Sequence, residues 1–153
     1  MTRDDIKAAF GSFATGLVVV TAMTSEGPSG FTCQAFAAIS LDPPLAMVSA
    51  TAGSPSWAKV RDGQGIGVSV LRADAQDLAT QFATSGIDKF AGVDWTSGPG
   101  GAPLLTGALA HIEGTIDTVT RHGDHDLCTI AVRHVASFDG SPLLYVRGAY
   151  RDL

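Results

Sequence analysis

Apolar residues recur at helical spacing in only three short stretches of the chain. Thr2 and Ser54 can cap the first two predicted helices, and Pro55 fits the first turn of the second. Leu78 and Phe82 lie one turn apart in the third. The predicted helices cover residues 2–14, 54–62 and 74–84.

Alternating or continuous β-branched segments predict the strands elsewhere. The segments are residues 17–22, 31–40, 45–49, 66–70, 108–117, 127–136 and 143–146. Residues 26–30 are a predicted turn, and Asp42-Pro43-Pro44 should interrupt any ladder. Glu113 is expected on the polar face of its strand, opposite Ile112. Residues 86–107 have no periodicity and are predicted to form a long loop.

Many strands, few helices and no regular βαβ alternation favour a mainly β fold with short helices, arranged as an antiparallel barrel. The chain contains no linker, repeat or low-complexity tract. Residues 1–153 are therefore predicted to form a single domain.

The composition is 45% apolar and only 16% charged. The surplus of apolar residues predicts that part of the apolar surface is buried against another molecule, most simply a second copy of the chain. The net charge is −5 and no run of Lys or Arg occurs. Nucleic-acid binding needs clustered cations and is therefore not expected.

The two cysteines, Cys33 and Cys128, stand far apart in strand-like contexts and are predicted to be buried free thiols. The Thr2–Asp5 start does not resemble a signal peptide. No apolar run approaches the roughly 20 residues of a membrane span. We expect a cytoplasmic protein without membrane contact.

Familiar catalytic motifs are missing from the chain. It has no GxGxxG after a strand, no GxxxxGK[ST] loop and no GxSxG elbow. His122 and His125 lie close together, but a metal site usually needs three or more ligands. If the protein is an enzyme, a bound organic cofactor should carry the chemistry.

Residues 49–57 form the first candidate site. Small residues lead to a helix start that carries Ser54 and Ser56, where free N–H groups and the helix dipole favour a phosphate. The alternative is that Ser54 is only a helix cap.

Residues 30–36 form the second candidate site. Thr32 and Gln34 would share one face of a strand, where polar groups can meet the edge of an isoalloxazine ring. An ordinary amphipathic strand remains the alternative.

The third candidate site is the segment His122-Gly123-Asp124-His125. Its turn places His125 at a strand start, where it can meet a nicotinamide. A solvated hairpin turn with incidental histidines is the alternative.

Taken together, and in their order along the chain, these three stretches resemble the flavin reductase family with the FMN-binding split-barrel fold. The resemblance covers nearly the whole chain and includes Ser40-Leu41-Asp42-Pro43-Pro44-Leu45 and Gly123-Asp124-His125. Thr32-Cys33-Gln34-Ala35-Phe36 is similar to reductase components of two-component aromatic monooxygenases.

The resemblance implies a homodimer of split barrels with one flavin, FMN or FAD, per subunit. It implies that His125 faces the nicotinamide of NADH or NADPH. The implied cofactor-binding residues are Thr32, Cys33, Gln34, Ala35, Ser40, Leu41, Ala50, Thr51, Ser54, Ser56, Trp57, Phe82, Ala83, Lys89, Phe90 and Tyr150.

The implied reaction is hydride transfer from the nicotinamide to the flavin, after which the reduced flavin passes to a monooxygenase. In that reaction the protein contributes alignment and exclusion of water. One alternative is an oxidase-like protein or flavin carrier on the same fold that does not use free NAD(P)H. A plain interaction domain is another.

Overall fold

The computed structural model describes residues 1–153, which form three helices and twelve strands. The helices are Arg3–Gly11 (α1), Pro55–Asp62 (α2) and Gln76–Ala83 (α3). The strands are Thr15–Gly16 (β1), Val18–Thr24 (β2), Gly27–Cys33 (β3), Phe36–Leu41 (β4), Pro44–Thr51 (β5), Gln64–Val70 (β6), Trp95–Ser97 (β7), Pro103–Leu105 (β8), Ala110–His122 (β9), His125–Ser137 (β10), Leu144–Val146 (β11) and Ala149–Arg151 (β12).

Seven strands form one antiparallel sheet in the order β3-β2-β6-β9-β10-β5-β4. A three-stranded sheet, β1-β11-β12, and the pair β7-β8 complete the fold. The large sheet does not close on itself, since β3 and β4 remain its edges. The mainly β fold with short helices agrees with the prediction.

Two apolar cores lie on opposite faces of β2. Val18 and Val20 belong to the larger core, which also holds Trp57 of α2. Leu17 and Val19 belong to the smaller core, which holds Phe82 of α3. Because both faces of β2 are covered, apolar residues occupy the consecutive positions Val18–Val20 rather than alternating with polar ones.

The helix boundaries differ from the predictions where tertiary contacts compete. The first helix ends at Gly11 rather than residue 14, because Thr15 and Gly16 pair with Tyr145 and Leu144. The third begins at Gln76 rather than residue 74. The preceding residues form a turn, in which Ala75 N donates to Arg72 O at 3.0 Å and Ala73 N to Ser141 O at 2.9 Å.

The predicted strand over residues 31–40 is wrong, because the chain bends at Gln34–Ala35. The segment before the bend, β3, pairs with β2, whereas β4 pairs with β5. One chain segment thus joins opposite edges of the large sheet and brings them together. The predicted turn over 26–30 is also mostly strand, because the turn is confined to Ser25 and Glu26.

The predicted loop over 86–107 contains the β7–β8 pair and covers Glu113. The Glu113 carboxylate is buried and accepts hydrogen bonds from Gly100 N at 3.0 Å and Ala102 N at 2.8 Å. Glu113 lies on the face opposite Ile112, as predicted, and the loop folds back over that face and buries it. None of the three helices has the length and the hydrophobicity that a membrane-spanning helix requires.

Candidate functional site

A cleft of about 540 Å3 opens at the N-terminus of α2. We call it the serine cleft, and its lining includes Ser54, Ser56, Lys59, Asp88, Lys89 and Phe90. Ser54 caps α2 by accepting a hydrogen bond from Trp57 N at 3.2 Å. The cleft therefore has an ordered helix start at one wall, where the helix dipole favours an anion.

Lys89 supplies a cation at this helix start. Its Nζ donates to Ser56 Oγ at 2.9 Å. Burial lowers the pKa of Lys89. The segment that carries Lys89 is fixed by Gln81, whose Nε2 donates to Lys89 O at 2.9 Å, and by Phe90, whose ring lies 4.9 Å from that of Phe82. Hydroxyls, a cation and helix N–H groups are the donors that a phosphate requires.

The bend after β3 leaves Gln34 and Ala35 exposed, whereas the residues before it bond within the protein. Thr32 Oγ1 donates to Ala79 O at 2.6 Å. Cys33 Sγ donates to Ser49 O at 3.4 Å, and burial raises the pKa of this thiol. At this position, only Gln34 offers a free polar side chain, whose amide can donate and accept at a ring edge.

A second cleft of about 1060 Å3 lies beyond Gln34. We call it the arginine cleft, and its lining includes Lys7, Thr15, Gln34, His125, Tyr145 and Arg147. His125 Nδ1 lies 2.8 Å from Asp124 Oδ1, and this contact lowers the pKa of Asp124. The other ring nitrogen, Nε2, has no partner within the chain. A pocket of about 590 Å3 adjoins this cleft and shares Thr15 and Gln34 with it.

Two features of the arginine cleft are unusual. The Thr15 hydroxyl oxygen is buried without a hydrogen-bond partner. Arg147 has a φ of 51° and, with Gly148, forms the two-residue turn between β11 and β12. A left-handed conformation costs a non-glycine residue roughly 1–2 kcal/mol. Strain and an orphaned polar group concentrate where a protein binds ligands.

The structure divides the predicted site residues between these two clefts. Ser54, Ser56, Lys89 and Phe90 share the serine cleft, and Gln34 and His125 share the arginine cleft. Thr51 connects them, because it pairs with His125 and its carbonyl accepts from Ser54 N at 3.0 Å. Within one subunit, no described cleft is lined by Gln34, Ser54 and His125 together.

Several predicted residues lie behind the cleft walls. Trp57 is fully buried, and its Nε1 donates to Asp126 Oδ2 at 2.9 Å, so its indole supports the serine cleft from inside the core. Other buried members of the predicted set are Cys33, Ala50 and Phe82. The flavin-contacting set as a whole stays a prediction.

The remaining members lie nearer the surface. Ala83 and Thr51 are exposed, Ser40 is half-buried, and the Leu41 side chain is 92% exposed. Tyr150 is half-buried, with its hydroxyl 3.0 Å from that of Thr80.

Sequence reasoning did not place Lys7, Thr15, Tyr145 or Arg147 in the site. None of the four carried a local signal for a binding site. They reach the cleft because Arg147 N donates to Gly11 O at 2.7 Å and β1 pairs with β11.

The fold is an open antiparallel sheet with two polar clefts, one at the start of a helix and one lined by cations. A match to the flavin reductase like domain extends over residues 10–153. The chain belongs to this family.

Three relatives illustrate the similarity. Reductase subunit HsaB of a flavin-dependent monooxygenase from Rhodococcus jostii is 39% identical over 148 residues, covering 96% of this chain and 76% of that protein. The FMN reductase (NADH) SmoA of Agrobacterium fabrum is 37% identical over 142 residues, covering 93% and 81%. The structure of NADH:FAD oxidoreductase SgcE6 of Streptomyces globisporus C-1027, in complex with NAD and FAD fragments, has a TM-score of 0.92 and 33% identity, covering 97% and 91%. These findings confirm the predicted family, its split-barrel fold and the enzyme class, a flavin reductase.

Proposed function

We propose that this chain uses NADH or NADPH to reduce FMN or FAD and that the reduced flavin passes to a partner monooxygenase. The observation that carries the proposal is the contact of Lys89 with Ser56 at the start of α2. This contact would form a phosphate-binding site. It lies one short loop away from His125, because that loop begins at Thr51, which pairs with His125. The names of the relatives, reductase subunits and NADH-dependent reductases, support the same reaction.

The serine cleft would hold the flavin phosphate through Ser54, Ser56 and Lys89. Gln34 and the backbone around Ala35 would meet the ring edge where the chain bends. When bound, the flavin accepts a hydride from the reduced nicotinamide, which is chemistry that no side chain here supplies. Further proposed contacts are Thr32, Ser40, Leu41, Thr51, Ala83, Phe90 and Tyr150. The buried Cys33, Ala50, Trp57 and Phe82 would support the site from behind its walls.

His125 would orient the nicotinamide in the arginine cleft. Its ring is held by Asp124 at 2.8 Å, which leaves Nε2 to meet the carboxamide or ribose of the nucleotide. Alignment of the two rings and exclusion of water can supply much of the rate effect in a hydride transfer.

The working form in this proposal is a homodimer. Exposed apolar side chains on α1 and β4 support it, since Phe10 is 78% and Leu41 is 92% exposed. β4 is also an unpaired edge of the large sheet, and proteins usually cover such an edge. A second copy lying over these elements would complete the clefts.

A cytoplasmic location also remains a proposal. Cys33 and Cys128 are free, buried thiols, which fits a reducing compartment.

The test uses purified protein with each pairing of NADH or NADPH with FMN or FAD, in excess flavin. We expect loss of the reduced-nicotinamide absorbance with at least one pairing. Consumption with none of the four would overturn the proposal. A protein that binds flavin yet leaves it oxidised under anaerobic NADH would be a flavin carrier instead.

A further inference from the structure

We propose that Arg147, assisted by Lys7, binds the phosphate groups of the pyridine nucleotide and selects the full nucleotide over phosphate-free nicotinamides. This inference rests on the proposed function and assigns a specificity-determining residue to it. The shared chemistry is a phosphate anion, supplied by the diphosphate of either nucleotide or by the 2′-phosphate of NADPH.

The charge of the arginine cleft favours an anion. Lys7 and Arg147 are cations and line the cleft, whereas no carboxylate lines it. The nearby carboxylate of Asp124 is engaged by His125. This local excess of positive charge is found in a chain whose net charge is −5.

The backbone of Arg147 is fixed, whereas its guanidinium has no partner. Its guanidinium takes part in none of the ion pairs of the chain, a property that it shares with Arg3, Arg133 and Arg151 but that only it combines with a place in the cleft. Its backbone N–H donates to Gly11 O at 2.7 Å, which fixes the turn against the helix that carries Lys7. Because Asn or Gly suits its φ of 51° better, the turn itself does not account for an arginine here.

The hydroxyl oxygen of Thr15, a residue that lines the same cleft, is buried without a hydrogen-bond partner. Because buried hydroxyls normally have a partner, this is an unexplained polar group beside the cations of the cleft. A dinucleotide lying between His125 and Arg147 would lie beside Thr15.

The test compares Arg147→Asn with Arg147→Lys. Asn adopts the left-handed conformation readily, so Arg147→Asn keeps the turn and removes only the cation. Arg133→Asn removes an equal charge from an exposed site that lines neither cleft. The substrates are NADH, NADPH and the phosphate-free N-benzyl-dihydronicotinamide, at saturating flavin.

We expect Arg147→Asn to raise the KM for NADH and NADPH roughly tenfold, with kcat and the flavin Kd unchanged, because a charge-assisted hydrogen bond is lost. The KM for N-benzyl-dihydronicotinamide should not change. Arg147→Lys should restore most of the loss, and Arg133→Asn should resemble the wild type. Equal effects on both nucleotides identify the diphosphate, and a larger effect on NADPH identifies its 2′-phosphate.

Calorimetric binding of ADP-ribose provides a readout without turnover. Arg147→Asn should weaken it roughly tenfold where the diphosphate is the ligand; where the 2′-phosphate is the ligand, the loss should be seen with 2′-phospho-ADP-ribose instead. Unchanged KM and ADP-ribose affinity would overturn the inference, as would an equal loss with N-benzyl-dihydronicotinamide, or a changed oligomeric state with unchanged KM. If the wild type binds ADP-ribose but oxidises no nicotinamide, the proposed function fails while this inference stands.

Discussion

The serine cleft and the arginine cleft differ in how completely one subunit builds them. Ser54 and Ser56 already have partners in the chain, Trp57 N and Lys89. In the arginine cleft, the Thr15 hydroxyl and the Arg147 guanidinium have none, and Phe10 and Phe13 are 78% and 77% exposed. The first cleft is therefore preorganised, whereas the second leaves polar and apolar groups without partners within the chain.

The serine cleft depends first on the core behind it. We expect Trp57→Ala to lower the free energy of unfolding by about 3–5 kcal/mol, because it opens a cavity under α2 and leaves Asp126 without the indole N–H. Trp57→Phe is the matched variant and should lose less. Urea denaturation measures both, and a loss near zero for Trp57→Ala would show that α2 is not held by this core.

Lys89 tests whether the preorganised cleft binds the flavin. Lys89→Met keeps the stem and should raise the flavin Kd roughly tenfold, since a charge-assisted bond to phosphate is lost. At saturating flavin, the KM for NADH should stay unchanged. Because Lys89 and Ser56 bond to each other, the double variant with Ser56→Ala should be non-additive. Fluorescence titration of the flavin gives the Kd. A raised KM for NADH with intact flavin binding would mean that the two clefts have been assigned the wrong way round.

His125 tests the opposite cleft. His125→Ala should raise the KM for the nicotinamide nucleotide several-fold and leave the flavin Kd nearly unchanged, because the ring lines only the arginine cleft. His122→Ala is the matched control on the facing strand, since His122 pairs with His125 across the hairpin but lines neither cleft. Steady-state kinetics and flavin titration separate the two effects. A large loss of flavin affinity in His125→Ala would contradict this placement.

The smallest expected effect is a pH dependence of folding from Asp126. Hydrogen bonds from Arg121 and Trp57 hold the pKa of Asp126 below its usual value. The unfolded state therefore binds the proton more tightly, so this stabilisation is present at neutral pH and is lost as the pH falls below about 4.

Urea unfolding between neutral pH and pH 3 measures this loss. Asp126→Asn should flatten the acid decline, whereas Asp94→Asn, at an exposed site, should not. An equal decline in the wild type and Asp126→Asn would rule out Asp126 as its source.

The serine cleft was predictable because its key residues are neighbours in sequence. Ser54, Pro55 and Ser56 define a helix start by local capping chemistry alone, and the structure places them as expected. The resemblance to the flavin reductase family added Lys89, whose contact with Ser56 spans 33 residues and has no local signal. The arginine cleft could not be read in this way, because Lys7, Gln34 and Arg147 belong to three distant segments.

Sequence by itself determined the mainly β class, the three short helices and the buried character of β2, since caps, turns and apolar periodicity act over a few residues. Tertiary structure alone decided that one predicted strand breaks at Gln34, that Glu113 is buried under a loop and that Trp57 supports a cleft rather than lining it. Each outcome depends on a partner elsewhere in the fold: the strands that pair with β3 and β4, the loop N–H groups that bind the Glu113 carboxylate, and Asp126, which accepts from the Trp57 indole. Such partners lie far away along the chain, and only folding brings them within hydrogen-bond distance.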